Sequence, residues 1–374
     1  MGRILELDAL RGIAALIIVL AHIGLLPGTP WVLSMVDLFF VISGYFITTN
    51  ILKNRTSSHF LSVFFIRRAL RIWPAYYLAL TACLILNRSL KWDFRPDAWP
   101  YYFTFTQNVQ AYLGWPIPRF SGMFLHTWTL AIEEQFYLIW PLLIYRTNRR
   151  GMFAIAIGFT LLSPLLRSFG YLPSLLLTRA DGLALGSLLA LILDKKSLAR
   201  REILTYRLAF ATVSVLAILS PAIVPGLSSG RYADVLFTTR SGMTYFGLTG
   251  LVLCMIEHPW LIVLRGRVLC YVGTVSYGVY LYHPLVFAAL PTLYKRYVMR
   301  KLGLRSTLLM DLVMFVVCFM LAEVSRRWVE GPILRLKDRL RFKEEASGNI
   351  YRGPHVNSSP SVSTIESSAA TEAG

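Results

Sequence analysis

The stretch LDALRGIAALIIVLAH, residues 7–22, decides the fold. Apolar character continues from Gly12 to Leu26, after a start that carries Arg3 and Arg11. A membrane-crossing helix needs about 20 mostly apolar residues. A basic start and an apolar run also suit a secretory signal. No A-x-A-like cleavage site follows, however, and further apolar runs come directly after, so the segment reads as an uncleaved first helix. Eleven helical steps of about 100° bring His22 back to within about 20° of Arg11, so both share one face, roughly 16 Å apart along the axis. Ionisable groups inside a span are costly and by default functional. His22 is either a hydrogen-bonded packing group or a general base suited to neutral pH. Asp8, three residues before Arg11, is placed to pair with it.

Composition agrees with a membrane protein. The 374 residues are 55% hydrophobic and 16% charged, with a mean hydropathy of +0.55. Soluble domains carry about 25% charged residues. Ten apolar segments reach span length, near 10–27, 31–50, 70–87, 124–145, 151–170, 174–193, 207–225, 240–257, 268–291 and 306–327. The expected fold is therefore all-α, a polytopic transmembrane bundle of about ten helices over residues 1–342. Residues 343–374, rich in Ser, Thr, Ala and Glu, read as a disordered cytoplasmic tail. The net charge of +18 does not point to nucleic acid, because the basic residues flank apolar runs. Most of them fall on one side if both termini are cytoplasmic, which sets an N-in, C-in topology. One loop objects: Lys295, Arg296, Arg300, Lys301 and Arg305 would lie outside, tolerated or serving an anionic substrate or lipid. Cys83, Cys254, Cys270 and Cys318 lie in apolar runs without metal or redox spacing, and no metal site is expected.

Further polar residues interrupt the other spans. In HTWTLAIEEQFYLIWP, His126, Glu133 and Tyr137 fall on one helical face, and Glu134 points about 100° away. TRADGLALGSLL brings Arg179 and Asp181 into an apolar run, with Gly182 and Gly186 as a small-xxx-small pair for close packing. SYGVYLYHP puts Ser276, Tyr280 and His283 on one face, ahead of Pro284. Asp311, Glu323 and Glu330 rank lower. Ahead of the third span, FFIRRALRIWP clusters Arg67, Arg68 and Arg71, which suit either positive-inside anchoring or bidentate phosphate recognition. Trp92, Trp99, Tyr101, Tyr102 and Trp115 make the loop 87–122 aromatic, as an interfacial belt or a sugar-stacking surface.

GxxxxGK[ST], GxSxG, HExxH and paired CxxC motifs do not occur, which disfavours an ATPase, a serine hydrolase or a zinc enzyme. Two classes fit the buried acids, bases and arginines: a transporter with a charged pathway, or an enzyme drawing substrates from opposite sides. A scaffold whose charges only pair helices is a third. Spacing alone does not choose.

LDALRGIAALIIVLAH, DLFFVISGYFIT, RRALRIWPAYY, TWTLAIEEQFYLIWP, RADGLALG and SYGVYLYHP, in this order, resemble the motifs of the acyltransferase-3 family of membrane O-acyltransferases. The resemblance runs from residue 5 to about 332. It implies transfer of an acyl group, usually acetyl from acetyl-CoA, to a hydroxyl of an extracytoplasmic or exported glycan such as exopolysaccharide, lipopolysaccharide or oligosaccharide, with no permanently bound cofactor. It implies a bacterial inner-membrane location, and a standalone form, since no SGNH-type domain is present. Arg11 and His22 match the family's functional pair, and Arg67, Arg68 and Arg71 its RRxxR element, with a role in holding the CoA phosphates. Glu133 and Glu134 are expected beside them in catalysis. Asp8, Arg179, Asp181, Ser276, Tyr280 and His283 are supporting polar groups, and Ser276 leaves an acyl-enzyme route open. A transporter or flippase of a polar glycan or lipid, or an acyltransferase acting on a small hydroxylated metabolite, is the alternative.

Overall fold

Helix α1 (Leu5–His22) opens with Glu6 and Asp8 in its first turn, where the helix dipole favours acids. It stops at His22 because Gly24 turns left-handed, at φ +79°. The Gly24 N–H bonds the Ala21 carbonyl at 3.1 Å and the Leu25 N–H bonds Leu20 at 2.9 Å, which is the Schellman pattern. The apolar run thus continues past the helix, and His22 is its last helical residue.

The structure, a computed structural model of the chain, describes residues 3–90, 99–110, 124–171, 174–194, 199–223, 232–256, 258–293 and 307–339. Among them it is all-helical, without strands. After α1 the long helices are α2 (Met35–Asn54), α3 (Phe60–Leu90), α4 (Trp128–Ile144), α5 (Arg149–Ser168), α6 (Asp181–Leu193), α7 (Arg200–Ile223), α8 (Ala233–Cys254), α9 (Arg267–Leu293) and α10 (Thr307–Ser325). Each apolar segment of the sequence overlaps one of these helices. Among the described residues, four helical stretches are long and apolar enough to cross a membrane: Pro30–Asn54, Phe60–Leu90, Arg149–Ser168 and Arg200–Ile223. A fifth is added if Ala233–Cys254 is joined to the bent segment Pro259–Arg265. Large apolar side chains cover the outside, with Leu161, Val215, Leu312 and Met320 all more than half exposed. Such a surface suits lipid, and the chain is a multi-pass membrane protein. The loop 295–305, Trp92, Trp115 and the tail 343–374 lie outside the described residues.

Two boundaries differ from the sequence reading. FFIRRALRIWP belongs to α3 itself, so Arg67, Arg68 and Arg71 sit on a helix and not in a loop before one. Charge lowers the apolar count there but does not interrupt backbone hydrogen bonding. The apolar segment 174–193 is broken at Ala180 between a short turn, Leu176–Arg179, and α6.

Close packing rests on glycine. A Cβ on Gly186 or Gly44 would collide with the carbonyl oxygens of Val41 and Leu183 respectively, so α2 and α6 touch backbone to backbone. Gly12 and Gly273 do the same for α1 and α9, where a Cβ on Gly12 would stand 2.8 Å from the Gly273 nitrogen. One apolar core gathers Leu7, Leu10, Ile42, Leu185, Phe210 and Tyr245, and another gathers Val19, Val279 and Cys318. Helix α1 belongs to both.

Candidate active site

Three histidines from three elements meet at the His22 end of α1. The rings of His22 and His283 stand edge to face with centroids 5.1 Å apart, and His126 lies 5.3 Å from His283. The His22 Nδ1 is 2.7 Å from the Ile18 carbonyl one turn back. A carbonyl only accepts, so Nδ1 carries a hydrogen, and in the neutral ring Nε2 is the acceptor. His22 is exposed and His283 buried. His126 is not on the α4 face with Glu133, as the spacing implies, but in the 3-10 turn Leu125–Thr127 before it. The Tyr280 hydroxyl donates to the His126 carbonyl at 2.6 Å and meets the Thr129 hydroxyl at 2.7 Å. No group of three or more His, Cys, Asp or Glu among the described residues is arranged to hold a metal.

Three turns back along α1, Arg11 enters a second group. Its guanidinium lies 5.7 Å from the Phe46 ring centroid and interacts electrostatically with Glu133 and Arg71. Glu133 accepts hydrogen bonds from Ser43 at 2.8 Å and Tyr137 at 3.1 Å. Glu134, rotated away as its position requires, accepts from the Trp73 indole at 3.1 Å. The Arg68 guanidinium covers the Tyr137 ring at 4.9 Å and interacts with both carboxylates. Arg71 is exposed at this end and Arg67 partly buried. Glu330, just beyond α10, also faces Arg71; burial holds its carboxyl above the ordinary range, opposed by the Ser325 hydroxyl and the Arg71 charge. Arg11, Arg68 and Arg71 are matched in number by Glu133, Glu134 and Glu330, and their planar donor forks suit the oxygens of a phosphate.

Several expected partnerships fall elsewhere. Asp8 pairs with Arg3, not Arg11, because Arg3 folds back over the helix start while Arg11 is directed across to Phe46 and Glu133. His22 is held by the main-chain carbonyl of Ile18. The Ser276 hydroxyl donates to the Gly273 carbonyl at 2.8 Å within its own helix. Arg179 and Asp181 join neither group. Arg179 pairs with Asp37 at 2.6 Å, and Asp181 pairs with Arg167 at 2.6 Å. Ser241 donates to Asp37, and Arg167 also donates to Thr239 at 3.1 Å. This buried network ties α2, α5, α6 and α8 together. Asp37 and Arg167 were missed in the sequence, although each stands alone in an apolar run. Breaking such a pair from one side costs about 3–5 kcal/mol. Asp37→Ala should therefore lower the thermal unfolding midpoint of the detergent-solubilised protein sharply; an unchanged midpoint would rule out that role.

Comparison with known proteins bears on the chemistry. The model of the acyltransferase-3 family, described as an acyltransferase domain, matches residues 4–323. Peptidoglycan O-acetyltransferase OatA of Listeria monocytogenes serovar 1/2a is 28% identical over 88% of this chain and 55% of its own length. YrhL of Bacillus subtilis strain 168, provisionally named a peptidoglycan O-acetyltransferase, is 29% identical over 87% of this chain and 54% of its own. The chain spans about half the length of these relatives. No solved structure matches it.

Proposed function

The chain belongs to the acyltransferase-3 family, and from that premise we propose that it moves an acetyl group from cytoplasmic acetyl-CoA to a hydroxyl of an extracytoplasmic or exported glycan. Peptidoglycan is one such glycan, given the relatives' names. The reading includes ten spans in the bacterial inner membrane with both termini cytoplasmic. One observation carries it: α1 holds Arg11 in an arginine-rich group at one level and His22, with a bare Nε2, at another.

The donor's phosphates bind at Arg67, Arg68 and Arg71, with Arg11 deeper in the bundle. Arginine suits this role because its fork of donors matches phosphate oxygens. The pantetheine arm then runs toward His22. The His22 Nε2 takes the proton of the acceptor hydroxyl as its oxygen bonds to the thioester carbonyl carbon. The C–S bond breaks, and the imidazolium returns the proton to the departing CoA sulfur. Glu133 and Glu134 hold the arginines in place through Ser43, Tyr137 and Trp73, and Tyr280 fixes the turn that carries His126. Holding both substrates in line lowers the barrier by up to about 7–11 kcal/mol.

Membranes supplied with acetyl-labelled acetyl-CoA should transfer label to the host's envelope glycans. Glycan translocation without consumption of acetyl-CoA would instead establish the transporter reading. Arg68→Ala combined with Arg71→Ala should raise the KM for acetyl-CoA at least about tenfold, since charge-assisted bonds contribute about 1.5–3 kcal/mol each. An unchanged KM would place the donor elsewhere.

A further inference from the structure

Pro284 lies within α9 and has no N–H, so the Tyr280 carbonyl four residues back lacks its helical partner. His283 fills that place, its Nδ1 2.8 Å from the Tyr280 carbonyl and 3.1 Å from that of Val279. Both carbonyls accept, so Nδ1 carries the hydrogen and Nε2 is a bare acceptor. The residue is only 2% exposed, and its Nε2 has no partner among the described residues. An unpaired buried acceptor costs about 1–3 kcal/mol, whereas an apolar ring of similar shape would fill the site without that cost. The neighbouring ring is His22, at 5.1 Å, whose Nδ1 is tied to its own helix in the same way. Two neutral imidazoles, each with Nδ1 tied to its own helix and Nε2 as the acceptor, therefore meet edge to face.

Resting on the acyl-transfer reading, we propose that His283 positions the acceptor by taking a hydrogen bond from a second donor on the same molecule. His22 takes the hydrogen of the reacting hydroxyl, and His283 holds a neighbouring hydroxyl or amide N–H. His283 exchanges no proton; the bonds made and broken are those of acyl transfer alone. The second bond stops rotation about the first and keeps the attacking oxygen turned to the thioester. The acceptor class is then a polyol or sugar with two donors side by side, and an isolated alcohol is a poor acceptor.

The test uses the full chain in lipid nanodiscs with labelled acetyl-CoA and two acceptor probes, trans-cyclohexane-1,2-diol and cyclohexanol. The diol should react with a kcat/KM up to about tenfold above cyclohexanol, the effect of one hydrogen bond. His283→Asn keeps an amide N–H for the Tyr280 carbonyl but removes the group at Nε2. It should bring kcat/KM for the diol down to that of cyclohexanol without shifting the pH profile. His283→Gln returns an acceptor oxygen near the Nε2 position and should restore the diol preference. Equal losses on both probes, a shifted pH profile, or no preference in the unmodified protein would overturn the assignment, as they would if Nε2 merely holds a trapped water. Label reaching envelope glycans but neither probe would overturn it alone. Label reaching no acceptor at all would overturn the acyl-transfer reading as well.

Discussion

His22→Ala should reduce acetyl transfer by about 10²–10⁴-fold, the contribution of a positioned general base. The change should leave the folded protein intact, because His22 is exposed at the end of α1 and its one described hydrogen bond is to its own helix. The loss should appear in kcat with both substrates saturating, since the proton is taken in the transition state. His22→Gln should be nearly as inactive, as an amide can hold a hydroxyl but cannot accept its proton. Transfer is measured from labelled acetyl-CoA at matched membrane levels of each variant. Normal transfer by His22→Ala would remove the histidine from the mechanism and leave the family assignment standing.

Gly273→Val should prevent recovery of folded protein. A Cβ there would fall within the carbonyl group of Asp8, and backbone cannot give way as a flexible side chain can. Overpacking costs typically about 1–3 kcal/mol where side chains can shift, and more where they cannot. Gly158 on α5 has open space at the corresponding position, so Gly158→Val is the control and should be extracted in normal amount. Monodisperse yield after detergent extraction, read by size-exclusion chromatography, separates the two. Equal yields would mean that α1 and α9 do not approach as closely as described. The contact also matters for chemistry, because α1 carries Arg11 and His22 while α9 carries His283.

The sequence made the helices readable because apolarity marks them directly, and it placed Arg11 with His22 because both lie on one helix of known period. Tyr137 and Glu133, four apart, bond as that period requires. Gly182 and Gly186 announced a close contact without saying with what; the partner is α2. Contacts between helices were not readable. Nothing local in SYGVYLYHP says that His283 faces His22, and nothing in DLFFVISGYF says that Asp37 meets Arg179. Reading charge as the end of a span shortened α3, although arginines near a membrane surface do not end a helix. His126 was misplaced because a 3-10 turn breaks the 3.6-residue count just before α4.

The ion-pair network has a consequence for biogenesis. Asp37, Arg167, Arg179 and Asp181 come from segments that the ribosome delivers one after another, and each charge lies at the end of its helix. Arg167 emerges before Asp181, its partner, and Asp37 long before Arg179. The two ion pairs of this half of the bundle close only once α6 has been made, and a chain truncated before Arg179 leaves Asp37 and Arg167 without these partners.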